Sequence, residues 1–207
     1  AADVVQAYHA DSLPKSVGQI PESRATHASS PLIVEDVMTI NSATGFNPEA
    51  SFAGSGNAKI VAAGFRNQNE QLTRTLTGGQ IVTLCIVARI LAPIQGIILG
   101  YTLKNRLGEV IMEDNTAEGL KHEQLNVRKG AMVRADLRFE LPRLRDGEYV
   151  LDFAVAEGTI EHHVQHQWIY HALVIQIDNS NRVNGFVCSS TPEVMLKISD
   201  IYDEHCS

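Results

Sequence analysis

The chain has 207 residues, a formal net charge of −7 and three cysteines. A folded body of this size buries roughly 70% of its unfolded surface, so it needs neither disulfides nor a metal staple to hold a core. The acidic balance disfavours nucleic acid and anionic membranes as partners. No apolar run approaches the ~18 residues of a membrane helix, and no basic start followed by an apolar core marks a signal peptide.

The chain opens at Ala1 rather than Met, which fits an excised fragment or a processed chain. Residues 1–50 read as a partly ordered linker or extension: Pro14, Gly18, Pro21 and Pro31 punctuate a stretch rich in Ala, Ser and Gln. Within it, residues 32–40 are expected as a strand, before turn chemistry returns over residues 41–56. Residues 51–207 form the expected domain. Strands are expected over 59–65, 80–90, 96–104, 109–112, 131–140, 148–157, 169–177, 185–188 and 194–198, with one short helical turn near 119–125. Each strand is short and rich in β-branched or aromatic residues, and most are bounded by Gly, Pro, Asn or Asp. Leu99, Tyr101 and Leu103 alternate with Gly100, Thr102 and Lys104, and Asn105 to Gly108 then supplies a turn before Val110 and Met112 resume the period. Many short strands at such spacing predict an all-β, immunoglobulin-like antiparallel sandwich.

Period-2 alternation assigns faces. Val82, Leu84, Ile86 and Ala88 form one row of their strand, with Thr83, Cys85, Val87 and Arg89 opposite. Val133, Ala135, Leu137 and Phe139 point inward, leaving Arg134, Asp136 and Arg138 outside. Tyr149, Leu151, Phe153 and Val155 point inward in the next strand, and Ile169, Leu173, Ile175 and Ile177 in the one after. In an immunoglobulin-like sandwich the strands carrying residues 96–104, 148–157 and 169–177 are neighbours. Their outward residues would then place Gly100, Ala154 and Ala172 as a shallow floor walled by Trp168 and Tyr170.

A sugar ring offers a face of C–H groups to an aromatic ring and an edge of hydroxyls to polar side chains. The candidate carbohydrate-binding residues are therefore Trp168, Tyr170, His166, Asp152, Thr102, Lys104 and Gln176. Exposed aromatic residues also mark protein interfaces, so subunit assembly is the competing use of this face. Arg134 and Arg138, in a locally basic stretch on the opposite sheet, are a second candidate surface for an anionic cap.

Other chemistries fit the sequence less well. His162, His163, His166 and His171 are close in sequence, most of them in an expected loop, but they lack companion cysteines and the four-ligand spacing of a zinc site. Asp136 and Glu140 share a face yet lie ~13 Å apart along an extended strand, too far for a glycosidase pair. Neither a nucleophile elbow nor a P-loop is present. Cys85, Cys188 and Cys206 show no paired spacing, which fits a reducing compartment. No enzyme activity, metal or cofactor is expected.

Five segments go further than this pattern: GSGNAKI (residues 54–60), GGQIVTLCIVARI (78–90), GYTLKNRLGEVIMEDNT (100–116), LPRLRDGEYVLDFAVAEG (141–158) and HQWIYHALVIQI (166–177). Together they resemble the C-terminal polysaccharide-binding domain of Wzt-type nucleotide-binding subunits of O-antigen ABC exporters. The chain departs from that pattern at Phe52, where a Trp often stands, and at Glu113-Asp114. The resemblance implies a non-catalytic domain that binds O-antigen polysaccharide in the cytoplasm, at its modified non-reducing end, before export. It also implies association with the inner membrane through the transmembrane transporter subunit, an ATPase domain elsewhere, and a homodimer. Strand exchange over residues 194–198 is one way to build that dimer; pairing within one chain is the other.

Overall fold

The computed structural model describes residues 32–120, 124–179 and 183–188, and of residues 32–36 the backbone alone. The expected strand at residues 194–198 lies outside the described residues.

Two sheets face each other. The first contains β1 (Phe52–Ala53), β6 (Ile97–Asn105), β7 (Val110–Asn115), β10 (Gly147–Gly158) and β11 (His163–Ile177), in the order β1-β11-β10-β6-β7. A short β4 (Thr75–Leu76) runs parallel to the end of β11. The second sheet orders β3 (Leu72–Thr73), β2 (Ala58–Arg66), β5 (Ile81–Ile90) and β8 (Met132–Glu140) as β3-β2-β5-β8. A small pair joins β9 (Arg143–Leu144) to β12 (Val187–Cys188). Strands β2-β5-β8 and β7-β6-β10-β11 take the places of A-B-E and C′-C-F-G in an immunoglobulin-like sandwich. The hydroxyl of Tyr149, near the start of β10, donates to the Arg145 carbonyl at 2.9 Å, as in the tyrosine corner of that architecture.

The alternation read from sequence is the one that packs, except at Ala172, expected on the outer floor but buried in the core where extra residues of β11 break the period. Leu84, Ile86, Leu99, Leu103, Leu151, Phe153, Val155, Ile169, Leu173 and Ile175 are all buried in one core between the sheets. Phe46 meets Phe153 edge-on at 5.8 Å, and Tyr101 stacks on Phe139 at 6.1 Å.

The segment expected as a strand at residues 32–40 is instead helical: α1 spans Leu32–Thr44. Its Val37, Ile40 and Thr44 recur at helical spacing and face the outer side of the second sheet, where Ile40 packs with Ala62, Cys85 and Val87. Cys85 and Val87, in the outward row of β5, are therefore as buried as the inward row, while Arg89 of the same row is exposed. Thr44 donates to the Ile40 carbonyl at 2.8 Å and to the Ala63 carbonyl at 3.0 Å, tying the last turn to β2. Gly64 is required there, because a Cβ would collide with the Thr44 methyl. The helical turn expected near residues 119–125 lies earlier, as the single-turn α2 (Thr116–Gly119), whose N-cap is Asn115; residues 121–123 lie outside the described residues.

Strand β11 starts at His163 rather than at residue 169. His163, His166 and His171 therefore lie on a strand, and only His162 belongs to the preceding turn. Polar residues hid this first half, because its partners are a second strand and a covering segment rather than open core.

Candidate functional site

The outer face of the first sheet is built by register. Gly100 lies opposite Asn115 on one side and Ala154 on the other, and Ala154 lies opposite Trp168. The row Asn115–Gly100–Ala154–Trp168 thus crosses four strands, about 14 Å at the usual strand spacing. Its two middle members are small, so the row is a floor with an amide at one end and an indole at the other. The neighbouring row runs Glu113–Thr102–Asp152.

Opposite Asp152 the ladder is broken. Between the pairs Leu151↔Leu173 and Phe153↔Ile169, β10 advances two residues while β11 advances four. The surplus bulges around Tyr170 and His171, and His171 takes a positive φ of 51°. Asp152 fills the gap. Its fully buried carboxylate accepts the His171 backbone N–H at 2.8 Å on Oδ1, while Oδ2 accepts the Lys104 ammonium at 2.5 Å and the Trp168 indole N–H at 3.3 Å. Burial by itself pushes this carboxyl up; the hydrogen bonds from His171, Lys104 and Trp168 outweigh it and hold the group below its ordinary value. One carboxylate therefore fixes the bulge, the indole and the lysine together.

Trp168, Asp152, Lys104 and Thr102 are thus assembled in one place, with Tyr170 exposed on the adjacent bulge. Two of them are covered on that face: Thr102 is buried, and every hydrogen-bonding interaction of Asp152 named above is to the protein itself. Gln176 lies opposite Glu148, six residues along β10 from Ala154, or about 20 Å from the indole row. His166 is buried at a second bulge, between Val155↔Gln167 and Ala156↔Gln165. Its Nδ1 meets Ser55 Oγ at 2.7 Å and its Nε2 meets Glu157 Oε2 at 3.0 Å. That links the Gly54-Ser55-Gly56 hook to β10 and β11. Gly54 must be glycine, since a Cβ there would strike the His166 carbonyl and its φ is 130°.

Sequence reasoning missed Glu113 and Asn115 as members of this face, because the strand was expected to stop at residue 112. Glu113, Asp114 and Asn115 are all polar, so no apolar alternation marked the continuation of the strand. Among the described residues, no group of three or more His, Cys, Asp or Glu side chains is placed to hold a metal ion. Nor is any helix among them long and apolar enough to cross a membrane.

A model of the Wzt C-terminal domain matches residues 49–188. The chain belongs to the Wzt C-terminal domain family. This is the C-terminal domain of an O-antigen transporter subunit, distinct from the subunit's ATPase domain. A crystal structure of the C-terminal domain of wzt has the same fold: the TM-score is 0.68, over 76% of this chain and 95% of that one, at 18% identity. None of the curated proteins matches the sequence.

Proposed function

We propose that this Wzt C-terminal domain is a non-catalytic carbohydrate-binding module that selects an O-antigen polysaccharide for export, gripping it on the outer face of β6, β10 and β11. The observation that carries the reading is the row Asn115–Gly100–Ala154–Trp168. A flat floor about three strand spacings long, closed by an indole, suits the C–H face of consecutive sugar rings. Trp168 and Tyr170 supply stacking surface. Lys104, Glu113 and Asn115 supply hydrogen bonds at the rim, and Asp152 positions the indole and the ammonium from below. His166 and Thr102 support the face rather than meet the sugar, and Gln176 belongs to a distal extension of it. In this reading the domain works in the cytoplasm as a homodimer, held to the inner membrane through the transporter. Two weak sites on one dimer gain by effective concentration.

The exposure of Tyr170, Val174 and Val110 on this side of the sheet favours one competing use, burial against another subunit. Titration separates the two. Trp168 is the chain's single tryptophan, so its fluorescence reports this face alone. Added O-antigen polysaccharide should shift the emission, and a folded Trp168→Ala variant should lose retention on immobilised polysaccharide. An unchanged spectrum at saturating glycan would reject the sugar site in favour of assembly.

A further inference from the structure

The two outer faces of the sandwich differ in charge. On the first sheet the Lys104 ammonium is paired with buried Asp152, and Glu113 is exposed. On the second sheet the outward residues beyond the end of α1 include two arginines, Arg66 and Arg138, with Ile81, Thr83 and Glu140.

In register across β2, β5 and β8, Arg66 lies opposite Thr83, and Thr83 lies opposite Arg138. All three are outward: Phe65, Val82, Leu84, Leu137 and Phe139 fill the core on the other side. The next row holds Gly64, Cys85 and Asp136, where the Thr44 side chain sits against Gly64 and closes off the helix. Both oxygens of Asp136 are engaged by Arg134 Nε at 3.0 Å. Of the two carboxylates that flank Arg138 on this face of β8, Asp136 is thus already matched to a different arginine. Glu140, the next outward residue of β8 after Arg138, lies opposite Ile81.

Arg66 is held in place but not satisfied. Its Nη1 donates to the Glu70 carbonyl at 3.1 Å, while its Nε is buried with no hydrogen-bond partner. A buried guanidinium N–H without an acceptor is costly, so such a group marks a place where an acceptor belongs. Arg138 is exposed and forms no ion pair among the described residues. Two guanidiniums flanking one hydroxyl on adjacent strands make a planar, multi-donor surface suited to a tetrahedral or carboxylate oxyanion.

We infer that Arg66, Thr83 and Arg138 form an oxyanion-binding site, for a phosphate ester or a sugar carboxylate, on the face opposite the indole row. The site does not depend on the glycan reading above. The two guanidiniums donate to the oxyanion from either side, and Thr83 contributes its hydroxyl between them.

The test is a 15N NMR titration of the whole chain with inorganic phosphate, glucuronate and glucose, each against sodium chloride at equal ionic strength. Phosphate, glucuronate or both should move the Arg66 Nε–Hε and Thr83 amide resonances, and which one does so identifies the source of the anion. Glucose should move neither. Arg138→Gln, on the exposed edge strand, should weaken the response at least tenfold, and Arg66→Gln should abolish it. Trp168→Ala should leave it intact, so failure of the sugar face and failure of this site are read separately. Shifts no larger than those from chloride, or shifts indifferent to Arg138→Gln, would overturn the assignment.

Discussion

The backbone N–H of His171 donates to Asp152 Oδ1 at 2.8 Å, so a side chain completes a rung that the extra residues of β11 remove from the ladder. The same carboxylate holds Lys104 and Trp168 through its other oxygen. Asp152→Asn keeps an acceptor for the backbone but loses the charge that matches the ammonium. The expected cost is about 1.5–3 kcal/mol, the range for hydrogen bonds to charged groups, read from urea unfolding. The pH dependence has a definite sign. The folded-state value lies below the ordinary 3.8, so the stabilisation is fully present above that pH and is lost as pH falls through the folded value. The wild-type chain should therefore lose more stability than Asp152→Asn between pH 5 and strongly acidic conditions, and parallel curves would contradict this.

Gly100 sets the depth of the floor. A Cβ at this position would lie 3.1 Å from the Asp114 carbonyl oxygen and 3.2 Å from the Asn115 Cβ, so the neighbour needs to yield only by tenths of an ångström. Gly100→Val should fold with a modest loss of about 1–3 kcal/mol, yet raise the floor by a side chain and reduce polysaccharide binding at least tenfold. Binding preserved in that variant would move the sugar off this row.

Cys85 and Cys188 should differ sharply as nucleophiles. Burial, reinforced by the Asp136 carboxylate, pushes the Cys85 thiol from 9.0 to about 12, whereas Cys188 is exposed. Iodoacetamide labelling of native protein at pH 8, followed by peptide mass mapping, should modify Cys188 and spare Cys85 until urea is added. The raised thiol value also contributes stability that is present below pH 9.0 and is lost as pH rises toward 12.

Helix α1 covers Cys85, Val87 and Ala62 although the family match begins only at residue 49. Ile40→Ala should cost about 2–4 kcal/mol through the cavity it leaves. Deleting residues 1–48 should cost more, and should make Cys85 reactive. A truncated chain with unchanged melting temperature would show that the helix is dispensable.

Most of the sandwich was legible because each strand obeys one local rule, alternation bounded by turn residues. Residues 32–40 were misread for a related reason: Ile33, Val34, Val37, Thr39 and Ile40 are β-branched, and local preference pointed to a strand. Packing of Ile40 and Thr44 on β2 and β5 decided otherwise, a contact far away in sequence. The same limit applies to the site. Parity placed Trp168, Asp152, Thr102 and Lys104 on one side, but nothing in the letters revealed that β11 carries extra residues opposite Asp152. Hence the carboxylate was expected to greet hydroxyls, while the fold uses it to close a gap. His166 was expected near the indole, and the Ser55 and Glu157 contacts that bury it span 111 and 9 residues.

The bulge opposite Asp152 contains an even surplus, and this parity has an evolutionary consequence. Ile169 and Leu173 still point the same way, so the hydrophobic side of β11 does not roll over at this bulge. Lengthening or shortening the chain here by pairs of residues would reshape the rim beside Trp168 while the interior stays in step. Relatives facing different polymers thus have a spot where the grip can diverge without redesigning the scaffold.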